Sequence, residues 1–340
     1  MALPSQFSRA SRSGANSSSS FALGDRAFRW VAITSVMVAV VGGVLLVRWW
    51  APPGPGAAPP AALETSVVRE PIAAPAAPSR ARQRVDTPSE DVTAVIDNSR
   101  KSPVQGRAQL TALLSKPLVA QDVERVLAAI RDVNAVLFFS TTAFPGDQFA
   151  RTYIVKSGDS LAKIAKSNGM SADWRLVQRL NGLKSERAIS VGQRLKLPIG
   201  CFHAEIDKSS YTMFLFVGDG ERRELVATFP VGVGELDSTP VGAFIVRPGS
   251  KLIDPEWKHP RTGEYYAAND PDNPIGERWI GLLGTQPHNT KMTGYGIHGT
   301  TDLDSIGKQK SLGCVRMRGA DLELVFEALT EPGSTIVIHD

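Results

Sequence analysis

The residues best suited to covalent chemistry are one histidine and one cysteine, each set in a short glycine-containing motif. Gly296-Ile297-His298-Gly299 places His298 at the end of a strand-like run, between glycines that let backbones approach closely. Sixteen positions after His298, Ser311-Leu312-Gly313-Cys314-Val315-Arg316 places Cys314 behind a glycine and just ahead of an arginine. A thiol becomes a useful nucleophile when a base or imidazolium stands within hydrogen-bond reach. It also needs a third group to orient that ring, and backbone amides that face the developing oxyanion. The polar stretch 300–310 can fold back to bring thiol and imidazole together.

Other candidates fall away. Cys201 has no such neighbourhood and reads as a structural thiol; a Cys201–Cys314 disulfide is the competing state, and it would silence the nucleophile. His203, His259, His288 and His339 lack an H-E-x-x-H or comparable spacing, so neither metal nor cofactor is expected. Ser160-Leu161-Ala162-Lys163 and Ser305-Ile306-Gly307-Lys308 spell S-x-x-K, but neither comes with S-D-N or K-T-G, and both are set aside as chance.

The His298 and Cys314 motifs resemble the YkuD-type L,D-transpeptidase catalytic domain, whose signature is His-Gly followed across a loop by S/T-x-G-C-x-R/N. Gly232, Thr239-Pro240-Val241-Gly242-Ala243-Phe244, Asp272-Asn273-Pro274-Ile275-Gly276 and Arg278-Trp279 stand where that family has supporting residues. The resemblance spans 202–339. It implies a peptidoglycan acyltransferase in which Cys314 attacks the carbonyl of the third stem-peptide residue and His298 takes the thiol proton. The Gly299 carbonyl would orient the imidazole, and amides around Gly313 and Cys314 would form the oxyanion hole. Ser311 and Arg316 would support the loop or the substrate carboxylate, while Tyr295 and Trp279 line the cleft. An amine from a neighbouring stem then resolves the thioester into a 3→3 crosslink, without a nucleotide. Leu312 departs from the pattern: many members carry histidine there, so a second proton relay is absent. Water or a protein amine as acceptor would give an L,D-carboxypeptidase or a protein-to-peptidoglycan attachment enzyme. A non-enzymatic glycan-binding scaffold is the remaining alternative.

The elements that must position this pair are short. Strand-like runs at 211–217, 224–231, 243–246, 278–282, 295–298 and 335–339, with one helix at 321–329, predict a mostly-β catalytic domain. The Pro- and Asp-rich stretch 249–273 is long enough for a lid or a cleft wall. Upstream, alternation at 152–156, a Gly158-Asp159-Ser160 turn, helical faces at 161–165 and 174–180, and a strand at 193–197 make a β-α-α-β unit. Residues 151–199 resemble a LysM domain, which implies binding to the glycan strands of peptidoglycan; Gly158, Asp159, Ser160 and Asn181 are its candidate contacts.

The rest of the chain points to an anchored multidomain protein. Residues 1–29 carry four arginines against one acid and are expected in the cytoplasm. Residues 30–47 hold no charge, and at ~1.5 Å per residue they reach about 27 Å, near the thickness of a hydrocarbon core. With Trp49 and Trp50 at the interface, 30–50 is expected to cross the inner membrane once and leave the catalytic domain outside the cytoplasm. A cleaved signal peptide competes, against a long leader and no A-x-A site after Val47. Residues 51–105 are expected to be a disordered Pro/Ala-rich linker, and 106–140 a helical segment of two helices broken at Pro117. The 340 residues carry 38 Lys+Arg and 34 Asp+Glu. The LysM-like stretch 151–200 is net +7, but 201–340 is net −7. An acidic catalytic region argues against a nucleic-acid partner.

Overall fold

A computed structural model describes residues 90–331 and 333–340. Residues 1–29, expected to be cytoplasmic, residues 30–50, expected to cross a membrane, and residues 51–89 of the expected linker lie outside the described residues. Among the described residues no helix is long and apolar enough to cross a membrane.

Three helices come first: α1 (Glu90–Lys101), α2 (Pro103–Leu114) and α3 (Ala120–Leu137). Residues 90–105, expected to continue the linker, are therefore helical. Val92 and Ile96 stand four apart on one face of α1 and pack with Leu110, Leu113, Val126, Ile130 and Val133. Burial of that narrow stripe supports a helix whose average composition is polar. Pro103 opens α2, where the missing N–H has no intrahelical partner to lose.

The next unit is β1 (Ala150–Ile154), α4 (Leu161–Ser167), α5 (Trp174–Leu180) and β2 (Arg194–Pro198), with β1 and β2 antiparallel. Ser160 Oγ accepts from the Lys163 N–H at 3.3 Å to cap α4, and Asp173 accepts from the Arg175 N–H at 2.9 Å to cap α5. Val155, Leu161, Ile164, Val177, Leu195 and Leu197 form its core.

The remainder is mostly β. It comprises β3 (Phe202–Asp207), β4 (Thr212–Val217), β5 (Glu224–Pro230), β6 (Val233–Gly234), β7 (Gly242–Ile253), β8 (Trp257–Lys258), β9 (Tyr265–Tyr266) and β10 (Arg278–Gly284). β11 (Gly296–His298), β12 (Gln309–Ser311), β13 (Val315–Arg316), α6 (Gly319–Ala328) and β14 (Thr335–His339) complete it. Eight strands form one sheet in the order β13-β11-β10-β7-β14-β3-β4-β5. Two pieces differ from the sequence expectation. β3 pairs with both β14 and β4, and its apolar–polar alternation from Phe202 to Asp207 is a strand signal that the expected runs left out. β7 runs on to Ile253 through Pro248 and Gly249, tolerated because Gly249 adopts φ +67° and the register with β10 shifts there. Only 254–273 is left as a loop, and it carries the β8–β9 hairpin.

The helical segment shields the outer edge of the sheet. β5 is an edge strand, and an open edge invites unwanted pairing. The Leu225 N–H donates to Thr111 Oγ1 at 3.0 Å, and Asn134 Nδ2 donates to the Leu225 carbonyl at 2.9 Å. Beneath them Arg107 is fully buried, with Nε on Glu224 at 2.5 Å and Nη2 on Asp147 at 2.7 Å. The LysM-like unit is tied in from two sides. Lys196 Nζ caps the C-terminus of α3 through the carbonyls of Leu137, Phe138 and Ser140. Arg179 meets Glu327 of α6 through two bonds of 2.6 and 2.8 Å.

Candidate active site

The site is built where three strands lie in register. Trp279 of β10 pairs with His298 of β11, and His298 pairs with Arg316 of β13. Leu252 of β7 pairs with Trp279 from the other side. Paired residues project to the same face, so Leu252, Trp279, His298 and Arg316 form one row across the sheet.

Cys314 lies just before β13. Its sulfur lies 3.5 Å from the Gly294 carbonyl, and the Gly296 backbone also bonds to it. The thiol thus rests against the segment that leads directly into His298. His298 Nδ1 donates to the Gly299 carbonyl at 2.6 Å. A carbonyl only accepts, so Nδ1 carries the proton and the neutral ring keeps its lone pair on Nε2, the tautomer a general base requires. The indole of Trp279 stacks on the imidazole at 5.6 Å between centroids and 14° between planes.

The electrostatics set the resting state. Burial pushes the Cys314 thiol up to about 11, opposed by the Gly296 backbone and the Arg316 charge. Burial pulls the His298 imidazole down to about 4, helped by Arg316 and opposed by the Gly299 carbonyl. Both shifts favour a neutral thiol and a neutral imidazole near pH 7. Arg316, 3.7 Å from Asp302, is the nearby positive charge that favours thiolate.

The loop behind the sulfur is held by Ser311, which is 2% exposed. Its hydroxyl accepts from the Gly313 N–H at 3.1 Å and donates to the Cys314 carbonyl at 2.6 Å. The Gly313 amide, one of those expected in the oxyanion hole, is thus engaged by Ser311. Gly313 itself is required, because its φ is +124° and a Cβ there would lie 2.8 Å from Tyr295 Cε1 and 2.9 Å from the Ser238 carbonyl. Tyr295 therefore walls the loop. The Ser238 turn is a part of the site that sequence reasoning missed. Thr239 Oγ1 accepts from the Gly234 N–H at 2.7 Å, and Gly234 pairs with Ser311 through β6 and β12. The Thr239-Pro240 motif was visible; its contact with the nucleophile loop was not. Cys201 and Cys314 are both free thiols, so no disulfide closes the site.

The LysM-like candidates separate. A groove of about 460 Å³ is lined by Asp159, Ser160, Trp174, Glu186, Arg187 and Ile189. Asp159 accepts from the Lys156 N–H and the Tyr153 hydroxyl, and the Gly158 carbonyl accepts from Lys163 Nζ. Asn181 lies outside the groove: it accepts from the Lys196 N–H and donates to the Lys196 carbonyl, both at 2.8 Å. Its amide is a structural clamp. A groove of about 1020 Å³ between α2 and β3–β5 includes none of the residues around Cys314.

Residues 202–338 match the YkuD model, an L,D-transpeptidase catalytic domain, and 153–198 match the LysM domain. The YkuD protein of Bacillus licheniformis is 31% identical over 183 residues, covering 50% of this chain and 88% of its own length. The chain belongs to the YkuD family of L,D-transpeptidases. The YkuD protein of Bacillus subtilis is 28% identical over 204 residues, covering 55% of this chain and 98% of its own. A solved L,D-transpeptidase from Mycobacterium smegmatis is 16% identical with a TM-score of 0.30, over 44% of this chain and 65% of that one. Bd1075 of Bdellovibrio bacteriovorus gives 17% and 0.30, over 42% and 48%. The L,D-transpeptidase domain thus follows a LysM domain in one polypeptide, and the two pack against each other through α5 and α6.

Proposed function

We propose that this transpeptidase forms 3→3 crosslinks between peptidoglycan stem peptides through a thioester on Cys314. Cys314 Sγ attacks the carbonyl carbon of the third stem residue while His298 Nε2 takes the thiol proton. The Cys314 amide faces the tetrahedral oxyanion. The bond to the terminal D-alanine then breaks, and the leaving nitrogen takes the proton from His298. A side-chain amine of a second stem attacks the thioester, gives its proton to His298 and displaces the thiolate, which recovers its proton. The peptide bond made replaces the peptide bond broken, so no nucleotide enters.

One observation carries this reading: the thiol lies against Gly294 and Gly296, and the next polar group along that strand is an imidazole whose tautomer Gly299 has fixed. The groove at Asp159, Ser160 and Trp174 suits a glycan strand, with Trp174 offering a flat apolar face to a sugar ring. In this reading the LysM domain holds the enzyme at the wall, outside the cytoplasm, and residues 30–50 tether it to the inner membrane.

Incubating the protein with disaccharide-tetrapeptide and resolving products by mass spectrometry tests the reaction. Dimers that vanish in Cys314→Ala support it; tripeptide without dimers points to hydrolysis instead, and unchanged substrate removes the enzymatic reading.

A further inference from the structure

Trp279 entered as a cleft-lining residue. Its indole is half-buried and stacks nearly parallel on His298 at 5.6 Å. Gly296, directly across the ladder from Gly281, makes this seat possible. A Cβ on Gly296 would lie 2.6 Å from Trp279 Cζ2, 2.8 Å from Cη2 and 2.8 Å from the Ile280 carbonyl, so any larger residue would press on the indole and on the β10 backbone.

The other groups around His298 are few. Arg316 stands beside it on β13, with Asp302 of the 300–310 loop 3.7 Å from the guanidinium. The Cys314 thiol lies against the strand leading in, and Gly299 lies against Gly276 and Leu322, which bring no charge. On β10, Arg278 is drawn to Asp254 at 3.7 Å and to the ring of Phe326. Among the described residues no carboxylate contacts the imidazole, and the ring is oriented by its hydrogen bond to the Gly299 carbonyl. A ring that must become a cation beside Arg316 lacks the anionic partner that histidine bases often have. An aromatic face attracts cations within about 6 Å of its centroid, and indole does so best.

We propose that Trp279 is a positioning residue for His298: its face holds the imidazole in one plane and stabilises the imidazolium formed when the Cys314 proton is transferred. The inference rests on the reading of His298 as the base. It assigns the stabilisation of that cation to an indole rather than to a carboxylate.

Exchange of the imidazole C2 hydrogen for deuterium, followed by mass spectrometry across pH, reads the His298 pKa in the full chain without substrate. Trp279→Leu keeps the site apolar and removes the ring face; the His298 pKa then falls by about one unit. Trp279→Phe keeps a weaker ring and gives a smaller drop. Gly296→Ala displaces the indole from outside and lowers the pKa in the same direction. In each variant kcat falls more than KM rises, and the acidic limb of the rate profile moves with the pKa. An unchanged or raised pKa in both Trp279→Phe and Gly296→Ala overturns the proposal even if Trp279→Leu fails to fold. Absence of crosslinking with the shift intact counts against the transpeptidase reading and leaves the Trp279 assignment standing.

Discussion

Ser311 and Cys314 are joined by a hydrogen bond of 2.6 Å from the serine hydroxyl to the cysteine carbonyl, and the same hydroxyl accepts from the Gly313 N–H. One side chain thus closes the turn that presents the nucleophile. Ser311→Ala leaves a buried donor and a buried acceptor unpaired, a loss of about 1–3 kcal/mol in stability. It also loosens the turn, and kcat falls about tenfold, equivalent to about 1.4 kcal/mol of barrier. Denaturant titration and steady-state rates check the two effects; full activity in the alanine variant would show that the turn holds itself.

Thiol reactivity should follow the burial of the site. Because the Cys314 pKa is raised to about 11, its proton stays on through neutral pH and leaves only in strong base. In a Cys201→Ala background, alkylation by iodoacetamide should still be accelerating between pH 8 and 10. A plateau below pH 7 would instead reveal a resting thiolate–imidazolium pair.

The two halves of the LysM prediction can be pulled apart by mutation. Trp174→Ala strips the groove of its flat face and should lower retention of the folded fraction on insoluble peptidoglycan, along with a drop in melting temperature because Trp174 also packs against the LysM core. Asn181→Ala removes the clamp on Lys196 and should destabilise the domain while the folded fraction binds normally. Equal retention of wild type and Trp174→Ala would place the glycan elsewhere.

The buried Arg107 cluster predicts a stability effect far from the chemistry. Arg107→Met leaves Asp147 and Glu224 without their cation, which costs about 3–5 kcal/mol. The melting temperature should drop by roughly 6–20 °C, with crosslinking per folded molecule unchanged. A drop under a few degrees would mean the carboxylates find water or other partners.

Motifs with fixed local geometry were legible in the chain. His298-Gly299 and Ser311 to Arg316 pointed to the site because a nucleophile, a base and glycine-allowed turns need particular residue types at short spacing. Strands made of short continuous apolar runs, such as β4 and β5, were equally plain. Elements stabilised from a distance were not. α1 is polar on average, and its Val92–Ile96 stripe acquires meaning only against α2 and α3. β7 crosses Pro248-Gly249, a local stop signal that the bulge opposite β10 absorbs. Asn181 looked like a sugar contact because its partner, the backbone of Lys196, lies fifteen residues away. Trp279 could be placed near the cleft from its motif, but stacking on His298 follows from register across β10 and β11.

Intact-mass and peptide-level mass spectrometry of the protein mixed with disaccharide-tetrapeptide whose side-chain amine is acetylated, so that it can donate but not accept, addresses the covalent step itself. The account predicts a disaccharide-tripeptide acyl group on Cys314, cleaved by hydroxylamine and absent from both Cys314→Ala and His298→Ala. Turnover with Cys314 unmodified, or an acyl group that persists in Cys314→Ala, would contradict it.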